Sequence, residues 1–155
     1  MSVLIQADQL RLINLGQRVE KATGTLAATT VPLFNITGGT VGITAFFGKV
    51  TTAITVANSY QLQSNPTGAS LTTQVLHTAT DLGTTDTPAG AVLTAATPGS
   101  ALVGGGTGAV APVTPSGIIP LPVGQIESVS AGTDGAITWV FFWIPLDNGA
   151  VLSAV

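Results

Sequence analysis

The chain is 155 residues long, carries only eleven charged side chains (7%) for a net charge of −3, and has no cysteine. An ordinary globular domain is about 25% charged, so this surface has little charge with which to resist association, and covering it within an assembly is the simplest use for it. Disulfides and thiolate metal sites are excluded, four basic residues are too few to neutralise a nucleic-acid backbone, and no apolar run approaches the ~18 residues of a membrane-spanning helix, so neither nucleic acid nor membrane is an expected partner.

Five of the charges, Asp8, Arg11, Arg18, Glu20 and Lys21, lie in the first 21 residues, and Lys49 is then the only one before Asp81. Residues 1–8 place no basic group ahead of a long apolar stretch and do not read as a secretory signal, which is compatible with synthesis in a host cytoplasm. From Ala7 to Ala22, Leu12, Leu15 and Val19 recur at i, i+3 and i+7 with charges between them, the spacing of a short amphipathic helix. Leu10, Leu12 and Asn14 also alternate with Arg11 and Ile13, which describes an extended arm. Residues 1–24 are therefore expected as an N-terminal helix or anchoring arm, and residues 25–155 as a single β domain.

After Gly24 the texture turns to β-branched residues punctuated by glycine. Residues 31–37 read as a strand and Gly38-Gly39 as a turn into residues 40–47, where Val41, Ile43, Ala45 and Phe47 share a face. Gly48-Lys49 then leads into residues 50–56, and a three-stranded meander is the economical reading. Residues 60–63 read as a further strand stopped by Asn65-Pro66-Thr67-Gly68. The threonine-rich run 71–80 and residues 91–97 are also expected as strands.

Residues 98–122 hold no charge and are too rich in Gly and Pro for a core element, so a long loop is expected there. Its part from Ile118 to Val123 suits an edge strand, since Pro120 and Pro122 are barred from a central one. Residues 125–130 alternate, Gly132-Thr133-Asp134-Gly135 turns, and residues 136–146 form the strongest strand signal. There Trp139, Phe141 and Trp143 take one face and Val140, Phe142 and Ile144 the other, as in a strand central in a sandwich or backed by a partner subunit. Asp147-Asn148-Gly149 is a hairpin signal that would return residues 150–155 along that strand. The whole reads as an all-β protein, an antiparallel sandwich or barrel of jelly-roll type with eight to ten short strands.

Chemistry-bearing residues are sparse. His77 is the only histidine, and a hydrogen-bonded strand histidine is a simpler reading of it than a general base. Asp81, Asp86, Glu127, Asp134 and Asp147 are scattered, mostly at turns, where acids serve backbone amides. Gly104-Gly105-Gly106-Thr107-Gly108 lacks the Lys and the βαβ setting of a phosphate loop, no nucleophile elbow is present, and nothing calls for a cofactor or a resident metal. Trp139, Trp143 and Tyr60 could stack on a sugar, although two tryptophans four apart on one strand face more often lie in a core. The candidate assembly contacts are Leu12, Leu15, Val19, Arg11 and Arg18 of the N-terminal segment, with Trp139 and Trp143.

The segments Pro32-Leu33-Phe34-Asn35-Ile36-Thr37-Gly38-Gly39, Val41-Gly42-Ile43-Thr44, Gly48-Lys49-Val50-Thr51-Thr52-Ala53-Ile54 and Asn65-Pro66-Thr67-Gly68 resemble a family of small virion structural proteins of tailed bacteriophages. The ending Gly135-Ala136-Ile137-Thr138-Trp139 and Ile144-Pro145-Leu146-Asp147-Asn148-Gly149-Ala150 adds to that likeness. Such proteins are similar to capsid decoration (cement) proteins, β-rich subunits that clamp major-capsid subunits on the outside of the head, often as trimers. The resemblance implies a non-enzymatic homo-oligomer on the virion exterior whose partner is the phage major capsid protein, and it brings no catalytic residues. The alternative within the same class is a head-fibre or tail-associated module that binds a host surface glycan.

Overall fold

A computed structural model describes residues 6–68, 70–95, 99, 101–104 and 117–155, with only the backbone of 103 and 104. One helix, α1 (Ala7–Leu15), precedes twelve strands. In chain order these are β1 (Gln17–Ala22), β2 (Thr30–Thr37), β3 (Val41–Thr52), β4 (Ser59–Pro66), β5 (Gln74–Val75) and β6 (Thr80–Asp81). Then follow β7 (Val92–Ala95), β8 (Leu102–Gly104), β9 (Ile119–Leu121), β10 (Gly124–Ser130), β11 (Ala136–Pro145) and β12 (Val151–Ala154).

The strands form two six-stranded antiparallel sheets. The first runs β1-β11-β3-β7-β8, with β9 also on β3; the second runs β12-β2-β10-β4-β5, with β6 also on β4. The expected all-β sandwich is what the chain folds into. Period-two alternation puts Val41, Ile43, Val50, Ile137, Trp139, Phe141 and Trp143 of the first sheet against Phe34, Ile36, Tyr60, Leu62 and Ile126 of the second. Phe141 joins the layers, its ring centroid 5.0 Å from Phe34 and 5.3 Å from Phe46.

The expected meander does not form. β2 and β3 lie in different sheets, and β3 runs unbroken through Gly48 and Lys49. Gly48 makes room rather than a turn: a Cβ there would sit 3.0 Å from Ile137 Cγ2 and 3.1 Å from Trp139 Cη2. A register shift between Phe142 and Trp143 falls opposite Ala45 and Ile43, so the inward position passes to Phe46, 7% exposed, while Ala45 and Phe47 are half-buried.

The hairpin expected at Asp147-Asn148-Gly149 is a crossing between sheets. The Thr40 amide donates to the Asp147 carboxylate at 2.7 Å, and β12 pairs with β2 rather than β11. The run 71–80 yields only the two-residue β5 and the start of β6, because His77 turns inward between them. β9 is the expected proline-bearing edge strand, paired with β3 alone. Most of the Gly/Pro-rich loop lies outside the described residues.

The helix expected over residues 7–22 is real only as far as Leu15. Gly16, at φ 86°, turns the chain, and a Cβ there would lie 2.3 Å from the Trp143 carbonyl oxygen. Residues 17–22 become β1, registered on β11 from Gln17↔Trp143 to Ala22↔Thr138. Half of the expected arm is therefore an integral strand of the sandwich.

Gly48→Val should destabilise the fold by about 1–3 kcal/mol through overpacking against Trp139 and Ile137, read as a lower urea midpoint at unchanged slope. A variant melting like the wild type would contradict the close approach of β3 and β11.

Candidate functional site

The sequence-derived contacts divide sharply. Trp139 is fully buried and Trp143 is 4% exposed, so both belong to the core and neither is available to a partner, a correction to their place among surface contacts. Period-two alternation aims them at the second sheet, and the Trp139 indole N–H donates to the Tyr60 hydroxyl at 2.7 Å. The Ser128 hydroxyl donates to the same oxygen at 2.9 Å. Burial pushes the Tyr60 phenol far above its ordinary range, its two hydrogen bonds offsetting only part of this. A sugar platform from Trp139, Trp143 and Tyr60 is therefore not present on this surface.

His77 completes the cluster, its ring 6.0 Å from those of Tyr60 and Trp139. Its Nε2 accepts from the Leu62 amide at 2.9 Å, so the ring proton sits on Nδ1, 3.0 Å from the Thr78 carbonyl that accepts it. Burial lowers the His77 pKa from 6.5 to about 4, only partly countered by the Thr78 carbonyl. With both nitrogens committed to backbone and no solvent access, the ring is structural and not a general base.

The carboxylates also serve backbone and amides. Asp81 accepts from the Thr84 hydroxyl and from the amides of Gly83, Asn58 and Thr84, which together hold its pKa well below the carboxylate range. Asp134 is lowered likewise by the Thr55 amide and hydroxyl, with the Val56 amide, and Asp147 by Thr40. Glu127, 8% exposed, accepts from Gln63 at 2.7 Å and Asn65 at 2.9 Å.

A groove of about 280 Å³ near Thr80 and Leu102 has Asp81 and Asp86 on its wall. Asp81 stays ionised there, the opposite of the protonated acid that glycoside cleavage requires. A second groove, about 360 Å³ between Leu71 and Val75 on one side and Ile119 and Leu121 on the other, is lined without any titratable side chain. Among the described residues no three His, Cys, Asp or Glu side chains are grouped to hold a metal, and no helix is long and apolar enough to cross a membrane.

What remains is a surface. Arg11 is exposed, Leu12 is 56% exposed and Leu15 half-buried, its carbonyl accepting from the Thr44 hydroxyl. Val19 faces inward from β1 and packs on the core, whereas Arg18 faces outward and pairs with Glu20. Sequence reasoning missed Leu10 and Ile13, 53% and 72% exposed, which sit on the side of α1 away from Leu12 and Leu15. It also missed Ile118 and Leu146, 50% and 46% exposed, which meet Ile144 over Gly42, where a Cβ would touch all three. Gly16, at the foot of α1, packs against the same Ile144, so helix and patch form one apolar surface. The helical periodicity of residues 10–15 was the available signal for the first pair; nothing local marks the second.

Comparison with protein families, with curated proteins and with solved structures finds no match.

The neutral His77 ring makes stability pH-dependent. Its folded-state pKa lies below the unfolded one, so its contribution is complete above pH 6.5 and is lost as the pH falls toward 4, about 3 kcal/mol in total. The lowered aspartates lose theirs only below about pH 4. Melting temperatures should thus fall between pH 6.5 and 4 in the wild type, and a His77→Gln variant should show a flatter profile across that window. Equal slopes would contradict the buried, neutral ring.

Proposed function

We propose that this chain is a non-enzymatic capsid decoration (cement) protein, which binds the outer surface of the assembled major capsid shell of a tailed phage and stabilises the head. The observation that carries the reading is the composition of the surface. Twelve large aliphatic side chains are exposed among the described residues, more than the eleven charges of the entire chain. A free monomer with that balance invites association, whereas a subunit covered by neighbours does not. The likeness of the Pro32–Thr52 and Gly135–Ala150 segments to phage virion proteins supplies the kind of assembly.

Decoration needs no pocket, and it works by mass action. A protein that binds only the assembled shell stabilises it by RT ln(1 + [L]/Kd), about 2.7 kcal/mol per site at a hundredfold excess over Kd. Repetition over the shell turns modest binding into a large total. The alternative glycan-binding module is less well served, because its tyrosine and both tryptophans are in the core.

Cryo-electron microscopy of intact virions from the source phage, with copy number per particle from gel densitometry, tests the assignment. Density on the capsid exterior at copy numbers commensurate with the shell lattice is expected. A few copies confined to a vertex or the tail would overturn it.

A further inference from the structure

The helix α1 has no buried residue. At nine residues it is shorter than the ~12–15 that make even a favourable isolated helix marginal in water, so a surface absent from the monomer must support it. A capping box closes its N-terminus, where the Gln6 amide donates to the Gln9 side chain. Gly16 and the Thr44 bond to Leu15 fix its foot against β11 and β3, so the helix is held out from the body in a set direction.

Its apolar residues do not form one face. At about 100° per residue, Leu10 and Ile13 make one stripe and Leu12 and Leu15 a second, roughly 160° away around the axis. A helix that is apolar on opposite sides is buried on both. Both charges, Asp8 and Arg11, lie on the Leu12–Leu15 side, while Gln9 and Asn14 flank Leu10 and Ile13. Contact between unlike stripes therefore brings no like charges together.

The area excludes a simple pair. A nine-residue helix is ~14 Å long and ~10 Å across, which gives a side wall on the order of 400 Å². One stripe offers at most about half of that, a quarter of the ~800 Å² each partner contributes to a standard interface. Covering both stripes, together with the adjoining Ile118, Ile144 and Leu146, brings the helix region much nearer that size.

Resting on the reading of this chain as an assembly subunit, we propose that α1 is a self-association helix: the Leu10–Ile13 stripe of one copy packs on the Leu12–Leu15 stripe of the next. Because two different patches meet, the contact is heterologous, and it closes on a ring of at least three chains rather than on a two-fold dimer. The patch of Ile118, Ile144 and Leu146 at the foot of each helix extends the same interface.

The absence of cysteine makes a clean test possible on the full chain without any capsid present. Light scattering of the wild type should give a mass of three or more chains. Under oxidation, Leu12→Cys/Ile13→Cys should cross-link chain to chain, while Leu12→Cys and Ile13→Cys alone should not. A monomeric or dimeric wild type, a single variant that forms covalent dimers, or a double variant that does not cross-link would each overturn the proposal. Circular dichroism of the variants should remain that of the wild-type sandwich, since the substituted side chains touch no core. Shell binding is scored separately by co-sedimentation with phage heads, so loss of the ring and loss of the decoration reading are distinguishable.

Discussion

The hydrogen bond from the Trp139 indole to the Tyr60 hydroxyl is the constraint on which the interior is built. The two residues come from β11 and β4, on opposite sheets, and meet at 2.7 Å in a dry core. An indole N–H left unpaired there would cost about 1–3 kcal/mol, so the sheets must stack with these side chains in register. Ser128 on β10 and His77 beside β4 fill the remaining polar positions, and Gly48 on β3 provides the space the indole needs. The chain's few large aromatic residues are thereby turned mostly inward. That leaves threonine, amide and aliphatic side chains to meet solvent or partners.

The outer faces of the two sheets differ in how they do this. On the β10–β4 face, Gln61 donates to Gln63, Gln63 and Asn65 donate to Glu127, and Gln125 donates to Asn35. Such a row keeps polar groups satisfied with almost no charge. On the β11 side lie α1 and the patch of Ile118, Ile144 and Leu146 over Gly42. The molecule therefore has one amide-rich face suited to water and one apolar end suited to a neighbour. Aspartates at loop positions, such as Asp134 gathering Thr55 and Val56, hold the connections without forming a reactive centre.

Much of the strand content was legible from local pattern. β2, β4, β10 and β11 fall nearly where alternation and turn residues put them, and β9 is an edge strand because of Pro120. Reading Gly48-Lys49 as a turn failed because a glycine that opens space for a tryptophan looks the same in sequence as one that bends the chain. Splitting the N-terminal segment at Gly16 was illegible for a related reason. Arg18, Glu20 and Lys21 suit a helix face as well as an edge strand, and only the ladder with β11 decides between them.

By itself, the sequence determined that this would be an uncatalytic-looking, charge-poor β sandwich with a distinct N-terminal segment, since composition and period-two alternation state which residues must leave water. Which strands are neighbours was decided only by the tertiary structure. Alternation names the face a side chain takes but not the strand beside it, and here the links β2 to β3, β10 to β11 and β11 to β12 each cross between sheets. The same holds for the surface. That Trp139 and Trp143 are inside while Leu10, Ile13, Ile118 and Leu146 are outside follows from how the layers close, because burial depends on contacts made by residues far apart in the chain.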